Sequence, residues 1–184
     1  MTDTPRTPQS PQERARQFRT IFEAEHGYVW NSLRRLGVRE RDLADVTHDV
    51  FVALFRTLAQ FDASRPIRPY LFGIAFRVAS DYRRLARNKN ELLDPDEPRD
   101  ARDSTPGADE NVSRAEDCEL VHSALQHIEP ERRAVLLLHD IDETPMPQIA
   151  EALGVPLNTG YSRLRLARQD FEAAVRALRE GRNA

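Results

Sequence analysis

Residues 145–168 read PMPQIAEALGVPLNTGYSRLRLAR, and this stretch decides the fold of the second half of the chain. Ile149, Ala150 and Leu153 fall on one face at helical spacing, which predicts a short helix from about Pro147 to Leu153. Gly154 stops that helix by permitting a left-handed backbone, and Pro156 discourages continuation. Asn158 offers a side-chain oxygen to unpaired backbone N–H groups and so is expected to cap a second helix. On that helix Leu164, Ala167, Phe171 and Val175 turn inward, leaving Tyr161, Ser162, Arg163, Arg165 and Arg168 to face out. Helix, tight turn and arginine-loaded helix make a helix-turn-helix, which sets the start of its second helix in the DNA major groove. Arginine there clamps phosphates or pairs bidentately with guanine. A plain helical hairpin with a solvated arginine face has the same local pattern, so the remainder of the chain must decide.

Composition narrows the class. Charged residues make up 31% of the 184 and aromatic residues 7%, helix formers abound, and no run of alternating β-branched residues occurs, so the expected fold is all-α. A single cysteine, Cys118, excludes an internal disulfide framework and a thiolate-rich zinc site. No apolar run reaches membrane-spanning length, and the polar, proline-broken start does not read as a secretory signal. A reducing cytoplasm is the expected location, with no membrane insertion.

The net charge of −3 is unevenly spread. Residues 1–90 carry 16 basic and 10 acidic side chains, residues 91–119 carry 3 and 11, and residues 120–184 carry 8 and 9. Within the last segment, 158–184 has 6 basic and 3 acidic side chains. Two basic surfaces separated by an acidic strap suit a protein that touches a polyanion twice.

The organisation follows. Residues 1–12 read as a disordered tail. Residues 13–90 form a helical domain, with helical signal from Glu13 to about Leu36 interrupted near Gly27. A helix capped by Asp42 then runs to about Leu58 with the apolar stripe Leu43, Val46, Val50, Leu54 and Leu58. The connection Phe61–Pro69 holds two prolines, and a helix from Tyr70 to about Arg87 buries Leu71, Ile74, Ala75, Val78, Tyr82 and Leu85. Residues 91–117 are an acidic, flexible linker with too little apolar surface to offset its ordering entropy. The second domain, 118–180, opens with a helix marked by Leu120, Val121, Ala124, Leu125 and Ile128. Pro130 then starts a helix carrying Val135, Leu136 and Leu138 before the helix-turn-helix. The expected architecture is two small helical domains joined by a flexible acidic linker.

Four segments in this order resemble bacterial RNA polymerase sigma factors of the extracytoplasmic-function (ECF) group. They are Asp42–Phe55 (DLADVTHDVFVALF), Phe61-Asp62 with Ile67–Ala75 (IRPYLFGIA), Ile128–Leu138 (IEPERRAVLLL) and the helix-turn-helix. The resemblance covers about residues 15–90 and 118–178. It implies a first domain that binds core polymerase and melts the −10 element, and a second that reads the −35 element. Its implied partners are core RNA polymerase at its clamp and flap, promoter DNA, and an anti-sigma factor.

Carried over position by position, the resemblance assigns core-polymerase binding to Asp45, His48, Asp49 and Val52, beside the buried stripe of their helix. It assigns downstream-promoter binding to Asp62, Ser64, Arg65, Arg68, Tyr70, Arg77 and Arg84, whose loop and helix can hold an unstacked base and track phosphates. Arg83 and Arg87 share that basic helix. It assigns upstream-promoter binding to Asn158, Thr159, Tyr161, Ser162, Arg163, Arg165 and Arg168. Departures from the family pattern are present. Pro145 and Pro147 stand where a capping serine and acidic residues are usual, losing about 1 kcal/mol. Gly160 replaces an apolar β-branched residue, which predicts lost packing and about 1 kcal/mol of helix propensity. Tyr161 replaces a lysine, and His48-Asp49 a Gln-Glu pair.

Two other functions fit part of this pattern: a conventional helix-turn-helix regulator, and a sigma-like decoy that binds an anti-sigma factor. An enzyme fits least. His26, His48, His122, His127 and His139 share no metal spacing, no acidic pair accompanies a nucleophile or a phosphate loop, and His139-Asp140 reads as a surface pair. No catalytic residue, metal or cofactor is expected.

Overall fold

A computed structural model describes residues 10–92 and 109–182, with side chains placed for 10–86 and 117–181. All regular structure among the described residues is helical: α1 (Pro11–Arg35), α2 (Leu43–Thr57), α3 (Ile67–Leu92), α4 (Asp109–Gln126), α5 (Pro130–Leu136), α6 (Met146–Leu153) and α7 (Leu157–Arg182). Helices α1–α3 pack as one unit, and α4–α7 as a second.

The first unit is built on the α2 stripe. Leu43, Val46, Val50, Leu54 and Leu58 are all buried, against Val29, Leu33 and Leu36 of α1 and Leu71, Phe72 and Ala75 of α3. Full burial of each such side chain contributes about 2 kcal/mol. Several local expectations are corrected here. Helix α1 begins at Pro11, inside the expected tail, because Ser10 and Glu13 form a capping box: Ser10 Oγ accepts from the Glu13 amide at 3.2 Å and Glu13 accepts from the Ser10 amide at 2.8 Å. The rest of the expected tail, residues 1–9, lies outside the described residues. Gly27 does not interrupt α1; it sits on an open face where a Cβ would meet nothing.

Asp42 holds the cap position of α2 without making a cap bond. Its carboxylate instead accepts from the Tyr82 hydroxyl at 2.5 Å and from Arg39 at 3.0 Å, tying the α1–α2 turn to α3. The Tyr82 bond and the Arg39 charge hold that carboxyl below its usual range. Helix α3 starts at Ile67, three residues earlier than expected, with Pro69 in its first turn, where a missing N–H costs nothing. Leu85 is 59% exposed rather than buried. The expected linker is shorter at both ends, since α3 continues to Leu92 and α4 begins at Asp109. Its middle, residues 93–108, lies outside the described residues.

In the second unit Pro130 opens α5 as expected, helped by the Glu129 carboxylate, which accepts from the Arg132 amide at 3.2 Å. Val121 is exposed rather than part of the core. Helix α5 runs into a π-helical turn, Leu137–Ile141. Helix α6 starts at Met146 with Pro145 in the cap position and no side-chain cap bond, and Gly154 ends it in the left-handed region at φ 67°. Helix α7 begins at Leu157, so Asn158 lies within its first turn; the Pro156 carbonyl accepts the first bond, from the Gly160 amide at 3.1 Å.

Gly160 does not leave a packing defect. It is buried, and a Cβ there would lie 2.7 Å from Met146 Sδ, because Met146 of α6 fills the space. The apolar volume expected on α7 is supplied by the facing helix. Met146→Ala should therefore cost about 2–5 kcal/mol, and Gly160→Val alone about 1–3 kcal/mol through overpacking. Combined, the two should cost less than their sum by at least about 0.5 kcal/mol in a denaturant-melt double-mutant cycle. Strict additivity would show that the two side chains do not share one space.

Candidate nucleic-acid interface

Helix α7 is fixed on the second unit by ion pairs on one flank. Arg163 pairs with Glu131 of α5 at 2.6 Å, and Arg132 of α5 pairs with Asp170 at 2.9 Å. Arg168 embraces Asp140 of the π-helical turn through two bonds, of 2.6 and 2.9 Å. Those bonds, with His139 Nδ1 at 2.7 Å from the same carboxylate, hold Asp140 below the usual carboxylate range.

With Arg163 and Arg168 engaged there, a different line faces out. Leu157, Tyr161 and Arg165 lie one turn apart on α7; Leu157 is 43% and Tyr161 53% exposed, and Arg165 makes one long bond of 3.4 Å, to Gln169. Asn158 and Ser162 are exposed beside it, and Thr159 is half-buried. Leu157 was not singled out from the sequence, because an apolar residue after Pro156 reads equally well as core. The line rises about 6 Å per step and presents apolar, aromatic and guanidinium groups in turn.

In the first unit, Asp45, His48 and Asp49 are exposed on α2 and Val52 is half-buried. An aromatic patch adjoins them: Phe55 is 40% exposed and packs edge-on to Phe18 at 5.2 Å, and Phe22 is 39% exposed. The spacing of Phe18 and Phe22 on α1 marks them only as part of a helix, and Phe55 lies outside the α2 stripe.

The residues between α2 and α3 form a tight loop. Asp62 Oδ1 accepts from the Ser64 amide at 3.1 Å and from its hydroxyl at 2.9 Å. Tyr70 is half-buried against Phe61, with rings 4.9 Å apart. Arg65 pairs with Glu151 of α6. Arg68 pairs with Glu25 at 2.9 Å and lies over the Tyr28 ring. Arg77 is exposed, its Nε donating to the Gly73 carbonyl at 2.9 Å, and Arg84 pairs with Asp81 at 3.2 Å. The Arg83 guanidinium donates to the Leu36 carbonyl at 2.8 Å and to Ser80, joining α3 to the end of α1. The Arg87 side chain lies outside the described ones. A cleft of about 700 Å³ runs beside this loop, with Phe61, Arg65, Tyr70 and Arg77 on one wall and Glu151 and Leu153 of α6 on the other.

Among the described residues no group of three His, Cys, Asp or Glu side chains is placed to hold a metal ion. No helix of the described residues is long and apolar enough to cross a membrane.

Comparison with known proteins agrees with this geometry. The sigma-70 region 2 family model matches residues 21–89, covering α2, the loop and most of α3. The sigma-70 region 4 model matches residues 118–171, covering the helix-turn-helix. The ECF RNA polymerase sigma factor SigL of Mycobacterium tuberculosis is 30% identical over 162 residues, 88% of this chain and 86% of its own. The RNA polymerase sigma factor CnrH of Cupriavidus metallidurans is 29% identical over 84% of each chain. The solved structure of CnrH in complex with the cytosolic domain of CnrY superposes with a TM-score of 0.60 at 26% identity, over 89% of this chain and 90% of that one. With both family regions in order on an all-helical frame, the chain belongs to the ECF group of sigma-70 factors, the proteins that direct RNA polymerase to initiate transcription at chosen promoters.

Proposed function

We propose that the sigma-factor activity is divided over three surfaces of this chain. The α2 face of Asp45, His48, Asp49 and Val52 binds core polymerase at its clamp. The loop and helix bearing Asp62, Ser64, Arg65, Arg68, Tyr70, Arg77 and Arg84 hold the opened downstream element. The start of α7 reads the upstream element. The chemistry of RNA synthesis stays with the core enzyme, so this chain acts in the cytoplasm as an initiation factor and needs no cofactor. A regulatory protein partner, an anti-sigma factor, is proposed; CnrH is known in complex with the cytosolic domain of CnrY and the sigma factor RpoE of Bartonella quintana with the anti-sigma factor NepR.

One observation carries the upstream assignment: the outward line Leu157–Tyr161–Arg165, whose neighbours Arg163 and Arg168 are held by Glu131 and Asp140. Arg165 suits guanine, and Leu157 with Tyr161 suits thymine methyl groups. Arg163 and Arg168 are tethered to carboxylates, so they fix the angle of α7 and can offer only their remaining N–H donors to phosphates.

Arg165→Ala in the holoenzyme should cost about 1–3 kcal/mol of promoter affinity and relax preference at one or two bases. Arg163→Ala should weaken all sites alike. Footprinting and selection from a randomised upstream element measure both. A selection profile for Arg165→Ala identical to the parent's would remove Arg165 from the reading edge.

The decoy reading rested on the lost cap and on Gly160. Met146 fills the space at Gly160, which removes the second of those reasons. The same promoter assay separates the two functions, since a decoy gives no footprint.

A further inference from the structure

Glu25 carries a carboxylate where the first unit gains little stability from one. Its side chain is only 13% exposed on α1, and its ion partner among the described side chains is Arg68, whose Nε donates to it at 2.9 Å. Arg68 itself is 60% exposed. A pair with one member in water contributes little to folding, and covering a carboxylate costs more than covering an apolar side chain of similar size. Stability alone gives no reason for an acid at this position.

The surroundings of Arg68 give one. Its guanidinium also lies over the Tyr28 ring, 5.2 Å from the centroid. Glu25 and Tyr28 are neighbours on one face of α1, at i and i+3, and Arg68 stands in the first turn of α3, just after the Asp62–Ser64 turn. All three belong to the first unit, so their arrangement does not depend on the second. With Nε taken by Glu25 and one face covered by Tyr28, the terminal Nη groups remain as a planar fork of donors for a ligand. A free arginine side chain samples many rotamers and loses that freedom on binding. One already held by an ion bond and a ring has lost it in advance.

We infer that Glu25 is a positioning residue for promoter opening: together with Tyr28 it holds Arg68 in one orientation, with the guanidinium fork set to meet the displaced strand. This rests on the assignment of Arg68 to the downstream element. Charge alone predicts the opposite sign. A carboxylate 2.9 Å from a DNA-contacting guanidinium offsets its charge and repels phosphates, so removing it would strengthen the contact. If Glu25 orients Arg68, removing it slows opening although the surface becomes more positive.

The test uses holoenzyme on a promoter selected beforehand by the parent holoenzyme, with opening followed by permanganate reactivity of thymines in the downstream element. Glu25→Ala should slow opening about tenfold. Glu25→Gln, whose amide oxygen still accepts from Arg68 Nε, should recover to within about threefold of the parent. Arg68→Ala should lose at least as much as Glu25→Ala, and combining the two should change the rate by less than about twofold from Arg68→Ala alone. Circular dichroism and competition for core enzyme should match the parent for every variant. The inference is overturned if Glu25→Ala opens as fast as the parent or faster, or if glutamine recovers nothing. It is also overturned if Glu25→Ala causes its full loss in the Arg68→Ala background, which marks Glu25 as a support of the fold. Parent-like opening by Arg68→Ala removes the DNA assignment of Arg68 itself, and the role of Glu25 with it.

Discussion

Replacing Arg133 by methionine is expected to lower the unfolding free energy by about 1–3 kcal/mol. Arg133 is 5% exposed, on the buried face of α5. Its guanidinium donates to the Gln126 side chain at 2.6 Å and to the carbonyls of Gln126 at 3.0 Å, Ile128 at 2.9 Å and Arg35 at 3.3 Å. Three of these acceptors close the α4–α5 turn, and the fourth belongs to α1. Burial, with a smaller contribution from the Arg83 charge, pushes the Arg133 pKa down to about 10, so the group remains charged at neutral pH. Two effects oppose each other on substitution. Methionine removes the desolvation cost of a buried cation, a gain of a few kcal/mol. It also leaves the buried Ile128 carbonyl and the part-buried Gln126 carbonyl without the guanidinium donor, at about 1–3 kcal/mol each. The second effect is larger because the guanidinium is held by carbonyl oxygens, with the Glu129 charge too weak to offset its burial. Urea melts of parent and Arg133→Met measure the difference. A variant as stable as the parent would mean that the turn relaxes to let water reach those carbonyls.

The helices themselves were legible because each has one apolar face at a regular period. The α2 stripe is the clearest case, and every member of it is buried. What the sequence concealed are pairings between residues far apart in the chain. Asp42 looks like a helix cap because its local neighbours invite one; Tyr82, 40 positions on, takes its carboxylate instead. Arg163 and Arg168 look as free as Arg165 in a linear reading, and only the fold brings Glu131 and Asp140 beside them. Gly160 reads as a defect on its own helix, and its complement, Met146, is on the helix before. Gly73 gives no local signal: a glycine in an apolar helix reads as a weakness until the Ala152 backbone is seen against it. Periodicity reports which face is covered. It does not report what covers it, and the candidate DNA surface depends on that second fact.

Charge reversal on the exposed face of α2 is expected to abolish useful association with core polymerase while leaving the fold intact. Asp45 and Asp49 are exposed, one helical turn apart, and lie beside the buried stripe rather than in it. Neither forms an ion pair with another described side chain within 4.0 Å, so arginine at either position breaks nothing inside the chain and costs only the few tenths of a kcal/mol usual for surface changes. Next to them, Val52, Phe55 and Phe22 supply apolar area, with Phe55 and Phe22 each about 40% exposed. An acidic row flanked by aromatic rings suits a basic helical partner, in which the charges set orientation and the rings contribute affinity. Placing two positive charges opposite such a partner turns attraction into repulsion, a change of several kcal/mol at a desolvated interface. Asp45→Arg with Asp49→Arg should therefore weaken core binding by at least about 100-fold, or roughly 2.7 kcal/mol. Phe55→Ala should give a smaller loss that salt does not alter, whereas the charge effect should shrink as ionic strength rises. Competition for core enzyme against labelled parent protein, run at two salt concentrations, measures all three variants. Parent-like competition by the double arginine variant would place the polymerase contact on another face of the first unit.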